Sequence, residues 1–153
     1  MKTNNQQERL KTGFWISGFV DGEGCFTVSF VKNSTTKFGK QIFPEFVITQ
    51  SSKSLEALKK IQKFFGFGSI VLNKRYDNHH EDLYKFCVRS VSELYEKIIP
   101  FFKEFTLRTS KKDDFAIFCK IITLMYKKKH LTQNGFQTIQ ALAATMNRKK
   151  SRL

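Results

Sequence analysis

Two acidic residues separated by one glycine, Asp21 and Glu23, end a short apolar segment that starts at Trp15. A helical projection places both acids at the carboxyl end of a helix, where the macrodipole disfavours negative charge. A divalent cation would offset the negative charge of these two acids, because hard ions such as Mg²⁺ take carboxylate, water and phosphate oxygens as ligands. The alternative interpretation is an ordinary Asp-Gly turn with a glycine cap.

The helix that carries these acids has two unlike faces. One face has apolar side chains that suit a core, namely Ile16, Phe19 and Val20. The other carries Phe14 followed at helical spacing by Gly18 and Gly22. Glycines on an open face allow the backbone of a second helix to approach closely. This face is therefore predicted to form a dimer interface.

Residues Ile16 to Gly24 resemble the signature of the LAGLIDADG homing endonucleases, matching its glycines and both acidic positions. The resemblance implies that two such helices pack together and that the last acid of each, here Glu23, binds the catalytic divalent metal. It implies Mg²⁺, with Mn²⁺ or Ca²⁺ as other occupants, held at Glu23 and the adjoining Gly22. Asp21 matches an acid with a more structural role near the helix end and the subunit interface.

Periodicity along the rest of the chain predicts alternating pairs of strands and helices. The predicted strands are 25–32, 42–50, 69–73 and 83–89. The predicted helices after the first are 54–66, 90–105, 111–128 and 136–147. This order is similar to the LAGLIDADG core, which implies an α+β, αββαββα fold whose four-stranded antiparallel saddle contacts DNA, with extra C-terminal helices.

One copy of the motif in 153 residues indicates a single domain, 1–153, with a core of about 8–127 and a helical extension of about 128–153. Its symmetric partner is then a second copy of the chain. We therefore expect a homodimer.

Strand alternation separates a buried set, which includes Phe26 and Phe46, from the opposite face of the sheet. Base-edge contacts are predicted for that face, at Thr27, Ser29, Val31, Glu45, Val47, Val71, Asn73, Lys85, Cys87 and Arg89. Phosphate contacts are predicted for basic residues in the flanking turns, at Lys32, Lys37, Lys40, Lys74 and Arg75. A slip of one residue would exchange the two faces.

The resemblance also implies a glutamine and a lysine around the scissile phosphate. Gln50, at the end of the second strand, matches the first, and Lys111 matches the second, with Lys112 as its alternative. Lys53 is similar in position to a basic residue that follows the glutamine. The neighbouring pair His79 and His80 suits a polar hairpin loop better than a metal site, because adjacent strand residues point to opposite faces.

Composition favours a polyanionic partner, since the chain has 27 basic and 13 acidic residues and a formal net charge of +14. No apolar stretch reaches the roughly 20 residues that span a bilayer, and the polar N-terminus is not a secretory signal. Double-stranded DNA is thus preferred over a membrane. Abundant Phe, Lys, Asn and Ile suggest AT-rich codons and an organellar gene, in a mitochondrion or chloroplast.

The resemblance implies a site-specific, metal-dependent DNA endonuclease encoded in an intron. It would cut both strands across the minor groove of a long pseudo-palindromic site and leave short 3′ overhangs. Two alternatives use the same fold: an RNA-splicing maturase, with RNA as its partner, and a DNA-binding regulator that does not cut.

Overall fold

The computed structural model describes residues 2–74 and 81–147. A long helix followed at once by a hairpin forms the first third of the chain. The helices are α1 (Lys2–Glu23), α2 (Leu55–Phe65), α3 (Val91–Glu93), α4 (Ile99–Glu104), α5 (Lys111–Tyr126) and α6 (Gln133–Ala143). The strands are β1 (Gly24–Lys32), β2 (Lys40–Ser51), β3 (Ser69–Asn73) and β4 (Leu83–Val88).

The four strands form one antiparallel sheet in the order β1-β2-β4-β3. Phe26 pairs with Phe46, and Phe46 pairs with Val88, so one buried residue from each of β1, β2 and β4 lies in a row. The predicted phase of the strands is confirmed, since Phe26, Phe46 and Phe86 are at most 1% exposed. The order of helices and strands confirms the predicted αββαββα fold.

Phenylalanine rings fill the space between the sheet and the helices. Phe26 stacks on Phe46 at 5.1 Å between ring centroids and meets Phe102 of α4 edge-on at 5.6 Å. It also contacts Phe118 of α5 at 5.2 Å. Full burial of one such side chain stabilises the fold by about 1.5–3 kcal/mol. This aromatic core holds α1, α4 and α5 against one face of the sheet and leaves the other face open.

Local sequence accounts for the element boundaries. Gly66 ends α2 with a φ of +78°, as predicted, because glycine adopts this left-handed conformation without steric cost. Ser90 begins the helical segment 91–104, which passes through a π-helical turn, Leu94–Ile98, before Pro100. The Thr132 hydroxyl accepts from the Gly135 N–H at 3.0 Å and starts α6 earlier than the predicted residue 136.

The first helix begins at Lys2, ahead of the predicted start of the core at about residue 8. After α6 the chain returns to the sheet, where the Asn147 side-chain amide donates to the Phe26 carbonyl at 2.8 Å. No helix in the described part of the chain is both long enough and apolar enough to cross a bilayer.

Candidate active site and DNA-binding face

Helix α1 has three faces rather than the two predicted. Ile16 and Val20 are fully buried in the core, as expected. A second face packs on the loop between α4 and α5 through Gly13, Ser17 and Asp21. The third carries the exposed Phe14, Gly18 and Gly22. The two acids at the end of α1 therefore differ in their surroundings. Asp21 contacts the loop, whereas Glu23 is exposed.

The loop-facing side of α1 makes specific contacts with its own chain. A Cβ atom on Gly13 would lie 2.4 Å from the Phe105 ring, so only glycine allows this approach. One turn later the buried Ser17 hydroxyl donates to the Phe105 carbonyl at 2.9 Å. Asp21 then accepts from the backbone N–H groups of Arg108 at 2.9 Å and Thr109 at 3.0 Å. The hydroxyl of Thr109 adds a third donor at 2.8 Å.

These contacts agree with a structural role for Asp21, because its carboxylate binds the loop of its own chain. Its place at the dimer interface stays a prediction. Partial burial acts to raise the pKa of Asp21, but the hydrogen bonds from Arg108 and Thr109 and the charge of Lys111 outweigh it and leave this pKa below its ordinary value. The N–H and O–H donors of the loop, together with Lys111, therefore offset the negative charge of this acid.

Lys111 joins the start of α5 to the end of α1. Its Nζ atom donates to the carbonyl oxygens of Val20 at 2.8 Å and Asp21 at 3.1 Å. These are among the last four carbonyls of α1, which have no partner inside the helix. A cation there also opposes the negative end of the macrodipole. Lys112 is instead exposed, so Lys111 is the lysine that approaches the motif.

Glu23 and Gln50 lie at the same end of the sheet as Lys111. Glu23 is the exposed last residue of α1 and immediately precedes Gly24, which pairs with Ile48 of β2. Gln50 lies two residues beyond that pair and is half-buried. The structure thus brings the three predicted catalytic positions to one corner, where α1 and β2 end and α5 begins.

This corner fits a divalent ion only in part. Glu23 offers an exposed carboxylate, and the adjoining Gly22 carbonyl lies in the last turn of α1 beyond the two that Lys111 binds. Among residues 2–74 and 81–147, no three His, Cys, Asp or Glu side chains converge into a metal site. One chain therefore supplies one carboxylate here, and further oxygen ligands must come from water, phosphate or a second copy.

The glycine face has no intrachain explanation. A Cβ atom on Gly18 or Gly22 would meet nothing within 4 Å, in contrast to Gly13. Each glycine inside a helix costs about 1 kcal/mol relative to alanine. Phe14, on the same face, is 59% exposed although its ring edge contacts Phe105. These residues leave a bare strip along α1.

The open face of the sheet consists of the odd-numbered residues of the strands. Rows across the sheet follow from the register, such as Cys25, Val47, Cys87 and Ser69. All ten predicted base-edge residues belong to this face by register or by direct continuation of a strand. The ten predicted residues are Thr27, Ser29, Val31, Glu45, Val47, Val71, Asn73, Lys85, Cys87 and Arg89.

Two of these residues are buried or paired with other side chains, although their predicted base contacts stay predictions. Cys87 is only 4% exposed, which argues against a direct contact with a base. Glu45 is already engaged, because one of its oxygens accepts from the Arg89 Nε–H and the other lies 3.7 Å from the Lys85 ammonium. Gln41 and Phe43 also lie on the open face along β2, although they were not among the predicted base-edge residues. The alternation of β2 would have identified both.

The turn lysines lie at the ends of the strands, and Lys32 and Lys40 are even-numbered, with the phase of the covered face rather than of the open one. Lys32, Lys37, Lys40 and Lys74 are all exposed. Lys32 and Lys40 form the last pair of the β1–β2 ladder, where like charges directly opposite each other are unfavourable. Lys53 pairs with Glu81 at 2.6 Å. Arg75 and the pair His79 and His80 lie outside the described residues.

Cys25 lies beside the same corner, on the open face. Burial raises the pKa of its thiol, with Lys111 opposing this effect and Asp114 and Glu45 adding to it. The thiol is therefore a neutral neighbour of the charged residues.

Comparisons with known proteins agree with this geometry. The model of the family described as LAGLIDADG endonuclease matches residues 16–122. A probable intron-encoded endonuclease 3 of Neurospora crassa is 31% identical over 95% of this chain and 27% of its own length. A protein in ND4 intron 1 of Podospora anserina is 32% identical over 78% of this chain and 26% of its own length. This chain thus spans about a quarter of either relative.

Solved structures give the same result. The homing endonuclease I-TnaI is 39% identical with a TM-score of 0.79, over 90% of this chain and 89% of that one. I-SmaMI, bound to an uncleaved DNA target in the presence of calcium ions, is 36% identical with a TM-score of 0.81, over 91% of this chain and 46% of that one. On the family match, the relatives and the fold together, the chain belongs to the LAGLIDADG endonuclease family.

Proposed function

We propose that this chain is an intron-encoded, site-specific endonuclease that cuts both strands of DNA as a homodimer with a divalent metal, Mg²⁺. The observation that carries the proposal is the convergence of Glu23, Lys111 and Gln50 at one exposed corner of a basic, open sheet. Similarity to I-SmaMI, which binds its DNA target in the presence of calcium ions, supports the DNA partner and the use of a divalent ion.

The corner and the glycine face of α1 both support a second protomer. Each chain contributes one carboxylate at Glu23, and the bare strip at Gly18 and Gly22 suits close approach of a second α1. Two copies so joined would bring two Glu23 carboxylates near one axis. Each copy would then cut one strand across the minor groove, leaving short 3′ overhangs, on a pseudo-palindromic target.

The residues have distinct tasks in this scheme. Glu23 and the Gly22 carbonyl would hold the ion, which when bound polarises the phosphate and lowers the pKa of a water molecule. Lys111, held at the end of α1, places positive charge beside the scissile phosphate without a need for rearrangement. Gln50 would orient the attacking water. Lys32, Lys37, Lys40, Lys53 and Lys74 would bind the flanking phosphates.

The similarity to intron-encoded relatives, one of them in an ND4 intron, supports an organellar gene and a single-domain unit of the LAGLIDADG type. An RNA-splicing maturase and a regulator that does not cut remain outcomes of the test below.

Purified protein is first used to select bound duplexes from a randomised DNA library, and the selected site is then incubated with protein and Mg²⁺. We expect double-strand cleavage by the wild type, and binding without cleavage by Glu23→Gln. Glu8→Gln serves as the matched control, since Glu8 is an exposed acid near the start of α1, and it should cut normally. Binding of intron RNA without DNA cleavage would favour the maturase, and equal cleavage by Glu23→Gln would refute the assigned site.

A further inference from the structure

A lone acid lies between two cations on the open face of the sheet. Glu45 of β2 is 19% exposed at its side chain and accepts from the Nε–H of Arg89. Its other oxygen lies 3.7 Å from the Nζ atom of Lys85. Lys85 and Arg89 flank Cys87 on one strand and both reach across to Glu45, and Cys87 between them is 4% exposed.

This arrangement is poorly suited to a phosphate contact. An acid on a surface that meets a polyanion repels it, and Glu45 also neutralises part of the charge of both cations. The exposed lysines at the strand ends are better phosphate ligands, since Lys32 and Lys40 face each other and have no acid between them. The ion pairs of Glu45 with Lys85 and Arg89 must therefore serve a purpose other than contact with the phosphates of the DNA backbone.

Glu45 instead fixes the orientation of a guanidinium group. An arginine presents five N–H donors in a rigid planar fork, and Glu45 takes the one on Nε. The edge formed by the two terminal nitrogens stays available, and the Arg89 side chain is 55% exposed. A recess of about 470 Å³ beside it, lined by Ser69, Val71 and Ser90 among others, leaves space for a base edge.

We propose that Arg89 reads a guanine in the major groove of each half-site and that Glu45 is the positioning residue for this contact. The inference rests on the proposed DNA-binding function. Two parallel donors need two acceptors on one base, and only guanine offers this pair, at N7 and O6. Adenine presents an N6 donor beside N7, cytosine presents an N4 donor, and thymine has a single acceptor beside its methyl group.

The test uses the Glu23→Gln protein, so that cleavage does not enter the measurement. Duplexes are selected for binding from a randomised library by this protein and by versions that also carry Arg89→Ala or Glu45→Gln. We expect one position in each half-site to be guanine, and Arg89→Ala to reduce the preference for guanine there by roughly 5- to 150-fold. Glu45→Gln, which keeps an acceptor oxygen but no charge, should reduce the preference less and only at that position.

Lys40→Ala is the matched control for a contact with phosphate. It should weaken binding to all selected sequences alike and change the slope of log K against log salt by about 0.9 for each protomer, or about 1.8 for the homodimer. The same uniform effect from Arg89→Ala would overturn the proposal, because Arg89 would then bind the backbone. An unchanged guanine preference in Glu45→Gln would refute the positioning role. If the parent protein selected no duplex at all, the proposed DNA-binding function itself would fail.

Discussion

Replacing Asp21 by asparagine separates the structural acid of the motif from the catalytic one. In the folded protein this carboxylate accepts from the Arg108 N–H at 2.9 Å, the Thr109 N–H at 3.0 Å and the Thr109 hydroxyl at 2.8 Å. An asparagine keeps one acceptor oxygen for Thr109 but turns an NH₂ group toward the Arg108 N–H. One contact is lost, and the others lose the contribution of the charge.

The size of the effect follows from these contacts. A hydrogen bond to a charged group contributes about 1.5–3 kcal/mol, and the partial exposure of Asp21 reduces this value. We expect Asp21→Asn to lower the free energy of unfolding by about 2 kcal/mol at pH 7, measured by urea denaturation. Asp113→Asn is the matched control, because it removes the same charge from an exposed position in the first turn of α5, and it should cost less than about 0.5 kcal/mol.

The pH dependence gives an independent check. The pKa of Asp21 is lowered in the folded protein. Its contribution to stability is therefore fully present above the unfolded pKa of about 3.9 and is lost as the pH falls through the folded pKa. The difference between wild type and Asp21→Asn should shrink over that range. An equal cost for the two variants, or a difference that does not change on acidification, would refute the role assigned to the loop contacts.

Three further predictions concern the dimer, the lysine and the phosphates. Gly18→Ala should raise the stability of the dilute monomer by about 1 kcal/mol while weakening self-association in sedimentation experiments, and unchanged association would exclude this face as the interface. Lys111→Met should cost about 1 kcal/mol of stability and reduce single-turnover cleavage about 100-fold, and wild-type cleavage rates would contradict its catalytic role. Lys32→Ala with Lys40→Ala should leave stability unchanged or slightly higher, yet reduce the salt dependence of DNA binding in anisotropy titrations by roughly two phosphates per protomer, or about four per homodimer; an unchanged slope would exclude these contacts.

The sequence alone determined the order of elements and the faces of the strands. Alternation in β1 and β2 separates Phe26 and Phe46 from the open face, because successive strand residues point to opposite sides and the large apolar ones must be buried. Helical spacing likewise separates Ile16 and Val20 from the glycines. These features depend on residues that are close in the chain, so a local pattern is enough to predict them.

Tertiary structure alone decided which groups meet the acids and cations. Asp21 binds N–H groups of residues 108 and 109, and Lys111 rather than Lys112 reaches the end of α1. Likewise, Glu45 holds Arg89 from a neighbouring strand, and Cys87 is covered although its strand phase places it on the open face. Such contacts depend on how distant segments pack, and hydrogen-bonding partners tens of residues apart leave no periodic signal in the chain.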